Sequence, residues 1–581
     1  MKIFRWLSKY IKKYIPQITI GIISLICVDL LLPYIPTLTG KIIDTINSGF
    51  SGNSNIRYLS LKLLIIALVI FTGRVIWRYF IFGSARNIVF HISNYLYKHL
   101  QTLPQNYFVN NKTGDLMSLF SNDLNAVRMA LGQGAMMAID GVFMTLFILL
   151  TSFSMVNPLL TIIAVIPLPV IGIGGYFFGR SIGIRFKEKQ EAFSSLTDHI
   201  LESFSGIRVI KAFTREKSRF KEFLKENNNN YDKNIRLVNI FSILFPLVEI
   251  ISGLSFVFAI LIGGYMTSVG DITLGDFIAF NQLISLLIWP MVAIGWSLNI
   301  FSQGKASLER INTVLDENNT ILNGTIDIPE DTMLNISITD LTFTYPTKTF
   351  PALKNISLEI PYGKSIGIIG RTGAGKSALI DLVTRLYDPP DRSIFLNGID
   401  LKDYKIESLR QKIGVVTQEH YIFSASIKDN IALSSPEANL ETIINASKKA
   451  MLHNEISFFP DGYNTITGEK GVALSGGQKQ RLSIARSLIH NYNILIFDDS
   501  LSAVDTQTES SLIDLIKLER SGKTTIIISH RLNAVKECDT IFVFNNGTIE
   551  ESGTHETLIN NRGFYYDLYK YQQIEEEIQK T

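Results

Sequence analysis

Cysteine is nearly missing from this chain. Cys27 and Cys538 are the only two in 581 residues, and they stand far apart. A disulfide framework is excluded, and both thiols suit a reducing or membrane setting. Charge is scarce as well: 18% of residues carry it, and 55 basic side chains nearly cancel 52 acidic ones. That leaves no concentrated basic surface for a phosphate backbone, so nucleic acid is not expected among the partners. Polar low complexity is limited to the short asparagine run at 227–230, which carries no chemistry. What the chain has in quantity is apolar residues, 46% of the total, and disorder is excluded. A mean hydropathy of +0.21 is too apolar for an ordinary soluble protein and too polar for one embedded in lipid throughout. The expectation is a membrane half and a soluble half.

Six apolar runs, each near the roughly 20 residues that a membrane helix needs, cover 15–38, 59–82, 131–155, 159–178, 240–265 and 277–300. The first follows a basic opening with Lys2, Arg5, Trp6, Lys9, Lys12 and Lys13 and has no small-residue cleavage site, so it reads as a retained helix behind an interfacial elbow. Long polar loops after the second and fourth runs carry Arg86, Lys98, Lys112 and Arg128, then Arg185, Lys187, Lys189, Arg208, Lys211, Arg215 and Lys217. The connections on the other side include Asn157-Pro158 and TSVGDITLGD, which carry no Lys or Arg. The bias toward positive cytoplasmic loops puts both termini in the cytoplasm of a multi-pass protein of the inner membrane. The expected organisation is a six-helix transmembrane domain over 1–315, a polar linker over 316–334 and a soluble domain over 335–581, whose ligand its own motifs indicate. In that last part short apolar strands alternate with helices: SIGIIG, KIGVVTQ, NILIFDD, TTIIISH and TIFVFNNG. This is the pattern of a mostly parallel sheet in an α/β domain.

Gly370, Arg371, Thr372, Gly373, Ala374, Gly375, Lys376 and Ser377, with Ala378 behind them, follow the strand SIGIIG and open a helix. The glycines let successive backbone N–H groups turn toward one anion, and the helix terminus adds its dipole. Lys376 is placed for the β- and γ-phosphates of ATP and Ser377 for Mg²⁺. Downstream, Ile494 to Phe497 deliver Asp498 to a strand tip, as a second holder of the Mg²⁺ shell, and Asp499 follows where a base or water-orienting group belongs. Gln418 ends one strand and His530 another. Ser475, Gly476, Gly477 and Gln478 open an amphipathic helix, a second anion-binding end on the same chain.

In order and spacing these residues resemble the ATP-binding cassette (ABC) family from about residue 335 onward. The resemblance implies that Tyr345 stacks on adenine, that Gln418 contacts Mg²⁺ and relays movement to the membrane domain, and that Asp499 and His530 serve catalysis with it. It implies that Thr467-Gly-Glu469-Lys-Gly471 couples the cassette to a neighbouring subunit. It also implies that Leu474-Ser-Gly-Gly-Gln478 faces the phosphate loop of a second cassette, so one chain completes neither site. The segments at Gly114-Asp-Leu-Met-Ser with Asn122-Asp123-Leu124, and at Glu202 to Phe213, look like the coupling regions of six-helix ABC exporters, and Ser307-Leu-Glu-Arg310-Ile looks like the exit from the sixth helix.

Most active cassettes carry Glu where this chain has Asp499. One methylene fewer withdraws the carboxylate, and a misplacement of about 1 Å can cost on the order of a hundredfold in rate. The same departure marks the slow-site subunit of heterodimeric bacterial multidrug exporters, and this chain resembles that subunit. The expected partner is a second half-transporter with Glu in that position; membrane lipids and a small hydrophobic or amphipathic substrate complete the list. A homodimer in which Asp499 is the working residue is the alternative, and an ATP-gated channel is a third reading. Asp29, Arg74, Arg78, Asp140 and Glu249 lie in or near the apolar runs. They either attract a cationic cargo or pair with one another inside the bundle.

Overall fold

The computed structural model describes residues 2–48, 53–155, 157–468, 471, 474–501 and 506–580. Two compact units divide the chain: Met1–Thr102 with Asn111–Asn318, and Leu103–Asn110 with Asn319–Thr581. The chain therefore enters the second unit briefly before it enters it for good.

The first unit is helical. Five helical stretches are long and apolar enough to cross a bilayer: Tyr10–Asn47, Ser54–Leu100, Thr113–Ser154, Glu216–Val269 and Leu274–Asp316. The 54 residues of Glu216–Val269 extend about 80 Å at the helical rise, far beyond a hydrocarbon core of about 30 Å, so the loops expected to be helix-rich are continuations of the spans. The fourth apolar run behaves differently. It forms Pro158–Val165, turns over 166–168, and resumes as Pro169–Ser205. Pro167 and Pro169 remove two backbone donors in three residues, and hydropathy alone does not register that loss. Asn157 caps the short helix, its side chain accepting from Leu159 N at 2.9 Å.

Leu25, Val28, Trp77, Ile81, Met144, Ile148, Phe280 and Leu283 lie buried in the bundle core, while Leu64, Leu68, Phe71 and Tyr79 are exposed. An outer surface this apolar suits lipid rather than water. In the third span Leu119–Asp123 and Ala130–Gly134 are widened turns with i→i+5 bonding, a feature that often re-aims side chains. Asp123, 3% exposed, accepts from Arg310 Nε at 3.0 Å, and Arg310 also donates to Ser307 Oγ at 3.0 Å. At the opposite end the helices Tyr34–Asn47 and Leu274–Asp316 meet backbone to backbone. A methyl added to Gly40 would lie 2.5 Å from Gly275 O, and one added to Gly275 would lie 2.2 Å from Gly40 O. Asp44 accepts there from Gly275 N and Thr273 Oγ1, both at 2.7 Å, and Thr273 with Asp276 forms a capping box.

The second unit holds ten strands among the described residues: β1 (Ile336–Phe343), β2 (Leu353–Ile360), β3 (Ser365–Gly370), β4 (Ile394–Leu396), β5 (Ile399–Asp400), β6 (Ile413–Val416), β7 (Ile494–Asp498), β8 (Thr524–Ser529), β9 (Thr540–Asn545) and β10 (Thr548–Gly553). Six form one sheet in the order β10-β9-β3-β8-β7-β6, parallel throughout except for β10 on β9. That is the expected α/β core. A four-stranded antiparallel sheet, β2-β1-β4-β5, was not expected from sequence. The segment read as a linker is packed rather than loose: Ile321, Ile328 and Leu334 are buried. Arg385, 1% exposed, donates to Leu322 O at 2.8 Å and to Tyr404 O at 3.2 Å, which ties that segment to the domain.

Candidate nucleotide site

The parallel sheet decides where the site forms. The C-terminal ends of β3, β6, β7 and β8 lie on one edge, so the loops after them converge. β3 has five consecutive buried residues and ends at Gly370. The loop that follows uses positive φ at Gly373 (83°) and Gly375 (100°), and at Gly375 a Cβ would meet Ala352 O at 2.4 Å. Only glycine fits there. The helix Lys376–Val383 then begins with Leu379, Leu382 and Val383 buried.

A cavity of about 280 Å³ opens over this loop, lined by Tyr345, Thr372, Gly373, Ala374, Gly375, Lys376, Ser377, Ala378, Gln418, Asp498, Asp499 and His530, with Lys348 and Ala352. Lys376 Nζ donates to Gly370 O at 2.6 Å and to Arg371 O at 3.1 Å. Ser377 Oγ donates to Asp498 Oδ2 at 3.3 Å. Asp499 sits at φ 45°, a conformation that Asp tolerates better than most residues, and its N–H donates to Ile528 O at 2.8 Å. Its Oδ2 faces His530 Nε2 at 2.8 Å and Gln418 Nε2 at 3.5 Å. Tyr345 donates through its hydroxyl to Asp381 Oδ2 at 2.6 Å, and its ring stands edge-on to Phe343 and Tyr387.

Burial pushes the Asp498 and Asp499 carboxyls above the ordinary range, and it holds the Lys376 ammonium below its own. The opposite charges beside each group offset this only in part. Two carboxyls raised by desolvation next to a hydroxyl form an oxygen donor set that suits a divalent cation such as Mg²⁺. Among the described residues no three His, Cys, Asp or Glu side chains gather as a metal cluster.

Not every expected residue comes to the cavity. Gly370 is buried at the end of β3 and Arg371 lies with its guanidinium 5.4 Å from the Phe564 ring; neither lines the pocket. Ser475, Gly476, Gly477 and Gln478 begin the helix Gly476–Leu488 away from it, with Ser475 and Gln478 capping each other reciprocally. Gln478 Nε2 also donates to Glu455 Oε2 at 2.8 Å. Glu469 and the polar turn Ser502-Ala-Val-Asp505 lie outside the described residues. Sequence reasoning missed Lys348 and Ala352 in the lining and Asp381 behind Tyr345. None of the three belongs to a contiguous motif, and only the spacing of Asp381 on the helix after the loop hinted at it.

Residues 18–291 match the profile described as ABC transporter transmembrane region, and residues 353–502 the profile described as ABC transporter. A probable multidrug resistance ABC transporter ATP-binding/permease protein of Bacillus subtilis, YheI, is 36% identical over 98% of each chain. The multidrug resistance-like ATP-binding protein MdlA of Escherichia coli is 34% identical over 99% of this chain and 97% of its own. An ATP-dependent lipid A-core flippase of Syntrophus aciditrophicus is 31% identical over 100% and 96%. A solved bacterial Atm1-family ABC exporter with ATP bound shares the fold, with a TM-score of 0.77 over 97% of this chain and 98% of that one at 23% identity. The chain belongs to the ABC transporter family, its second unit the ATP-binding ATPase and its first the membrane region that the ATPase drives.

Proposed function

We propose that this chain is one half of a dimeric exporter that moves a hydrophobic or amphipathic compound across the cytoplasmic membrane, with the nucleotide unit and both termini in the cytoplasm. Relatives named for multidrug resistance and for lipid A-core flipping support that cargo class. One observation carries the dimer: the cavity gathers the phosphate loop, Asp498, Asp499, Gln418 and His530, while the helix end at Ser475–Gln478 stands apart from it. A second cassette would bring the missing helix terminus to this cavity and receive this chain's in return.

In that site Gly373 to Lys376 hold the phosphates through backbone N–H groups and the Lys376 ammonium. Ser377 and Asp498 would hold Mg²⁺, which would neutralise phosphate charge when bound. Tyr345 supports the base. Asp499 and His530, in contact through a hydrogen bond, orient the attacking water and take up its proton. Asp499 has the shorter carboxylate, so its site binds ATP and turns it over slowly. The partner's site would do most of the hydrolysis. Closure of the two cassettes then shifts the membrane helices between inward-open and outward-open packings.

A homodimer remains the second reading, favoured by the intact His530–Asp499 contact of 2.8 Å. Purification of the tagged chain from its own host's membranes, with mass spectrometry of what accompanies it, separates the two. A second six-helix cassette chain in equal amount supports the heterodimer; this chain alone, as an active ATPase dimer, overturns it. ATP-dependent uphill transport into inverted vesicles tests export itself, and cargo that only ran down its gradient would indicate a channel.

A further inference from the structure

The last helix of the second unit, Phe564–Lys580, packs on its domain through one face. Tyr565 is fully buried, and its hydroxyl lies 2.7 Å from His555 Nδ1. Leu568 and Tyr569, partly buried, pack against the same core. At the next place in that stripe, helical spacing calls for another apolar side chain, and the chain has Gln572 instead. A polar group turned toward the protein body needs partners, and Gln572 has two. Its Nε2 donates to His530 O at 2.6 Å, and its Oε1 accepts from Leu532 N at 2.9 Å. One amide thus brackets Arg531 and ties down the backbone that carries the His530 ring.

That ring depends on its backbone for direction. Its side chain is 48% exposed, with Nε2 at 2.8 Å from Asp499 Oδ2, and it stands on the short connection between β8 and the helical turn Leu532–Val535. Arg531 is fixed from the other side, its N–H donating to Ser529 Oγ at 2.9 Å and its guanidinium to the buried Glu509 at 2.6 Å. A shift of the His530 carbonyl would therefore swing the ring rather than the arginine, and a misplacement of about 1 Å near reacting groups can cost on the order of a hundredfold. The same helix also reaches the phosphate loop, where the Arg371 guanidinium lies 5.4 Å from the Phe564 ring. One C-terminal element touches both walls of the nucleotide cavity.

We propose that Gln572 is a positioning residue for His530, through which the C-terminal helix sets how the ring meets the γ-phosphate of ATP. The inference rests on the reading of this cavity as the ATP site with His530 at its γ-phosphate end. The test uses the full chain, purified with whatever partner accompanies it, and photolabelling of this chain on ice by 8-azido-[α-³²P]ATP with Mg²⁺, competed by ATP or by ADP. Gln572→Met keeps the length of the side chain and loses both hydrogen bonds. It should weaken competition by ATP about tenfold, the loss of one hydrogen bond to a charged group, and leave competition by ADP within about twofold of the parent. His530→Ala should weaken competition by ATP to a similar degree, and the double variant should be no worse than His530→Ala, as expected when one residue acts through the other. Gln572→Glu retains the acceptor for Leu532 N and can donate to His530 O only when protonated, so its preference for ATP should rise relative to that of Gln572→Met as pH falls. Loss of competition by ATP and ADP alike, or a double variant clearly weaker than His530→Ala, means that Gln572 serves the fold and does not position His530. A His530→Ala protein that keeps the parent's preference for ATP is a different failure: it removes His530 from the γ-phosphate, and the proposal with it.

Discussion

Asp499 is held by its backbone as much as by its chemistry. At φ 45° it occupies left-handed space that disfavours most side chains by about 1–2 kcal/mol, Asn and Asp being the usual exceptions. Asp499→Asn therefore preserves the turn and removes the charge that faces His530. In the assembled transporter total ATP hydrolysis should fall by less than about threefold if this is the slow site, and by a hundredfold or more if it is the working one, the usual reach of general base catalysis; steady-state phosphate release reads the difference. Asp498 yields a second prediction. Its carboxyl is raised by burial, so the folded domain binds that proton more tightly than the unfolded chain does. The nucleotide-free protein should gain stability as pH falls through the folded value, and the gain should be complete below the ordinary aspartate range. Asp498→Asn should flatten that pH dependence, raise the melting temperature near neutrality, and abolish Mg²⁺-dependent protection by ATP; thermal unfolding with and without nucleotide measures all three. The loop from Gly373 to Ser377 was legible because its chemistry is contiguous in sequence. The Tyr345–Asp381 contact was not, because it joins residues of separate elements that only the fold brings together.

Among the elements, strands whose whole length is buried were the most readable. β3, β7 and β8 are continuous apolar runs, as parallel strands covered on both faces must be. β1 and β2 alternate exposed and buried residues and carry polar ones such as Asp340 and Asn355 at positive φ, which weakened their signal. Of the six apolar runs, five lie in helices long enough to cross a bilayer, and the break at 166–168 in the fourth required attention to Pro167 and Pro169 over mean hydropathy. Where the third and sixth spans lock together, the bond is specific. Arg310→Ala should strand the buried Asp123 carboxylate and destabilise the membrane unit by about 1–3 kcal/mol. Adding Asp123→Asn should recover part of that loss. Melting temperatures of the two single variants and the double variant decide it, and a double variant no more stable than Arg310→Ala would show that Asp123 does not depend on that guanidinium.

At the scale of the whole chain, the two-part composition proved the strongest signal, because a membrane half and a soluble half differ in every local property. The exchange between the halves was less visible. The regions around Gly114 and Gly206 were expected to couple them, and Leu103–Asn110, a few residues before Gly114, groups with the nucleotide unit. Leu103 in that segment is 6% exposed. Leu103→Ala should leave basal ATP hydrolysis in place while transport and its stimulation of hydrolysis are lost, and vesicle transport assayed beside phosphate release tests it. Loss of both together would mean that the segment serves folding instead.

The crossing of Gly40 and Gly275 has a consequence for inheritance. Each glycine is required because the other's carbonyl occupies the space where a side chain would begin. Once either becomes alanine the helices must part, and a second methyl then enters room that the first has already opened. The double variant should cost less than the sum of the two single ones, a coupling expected of groups in direct contact. A lineage that loses one of these glycines thereby frees the other to drift, and reversion at either position alone no longer restores the original fit. The two positions, more than two hundred residues apart in the chain, should be kept or surrendered as one.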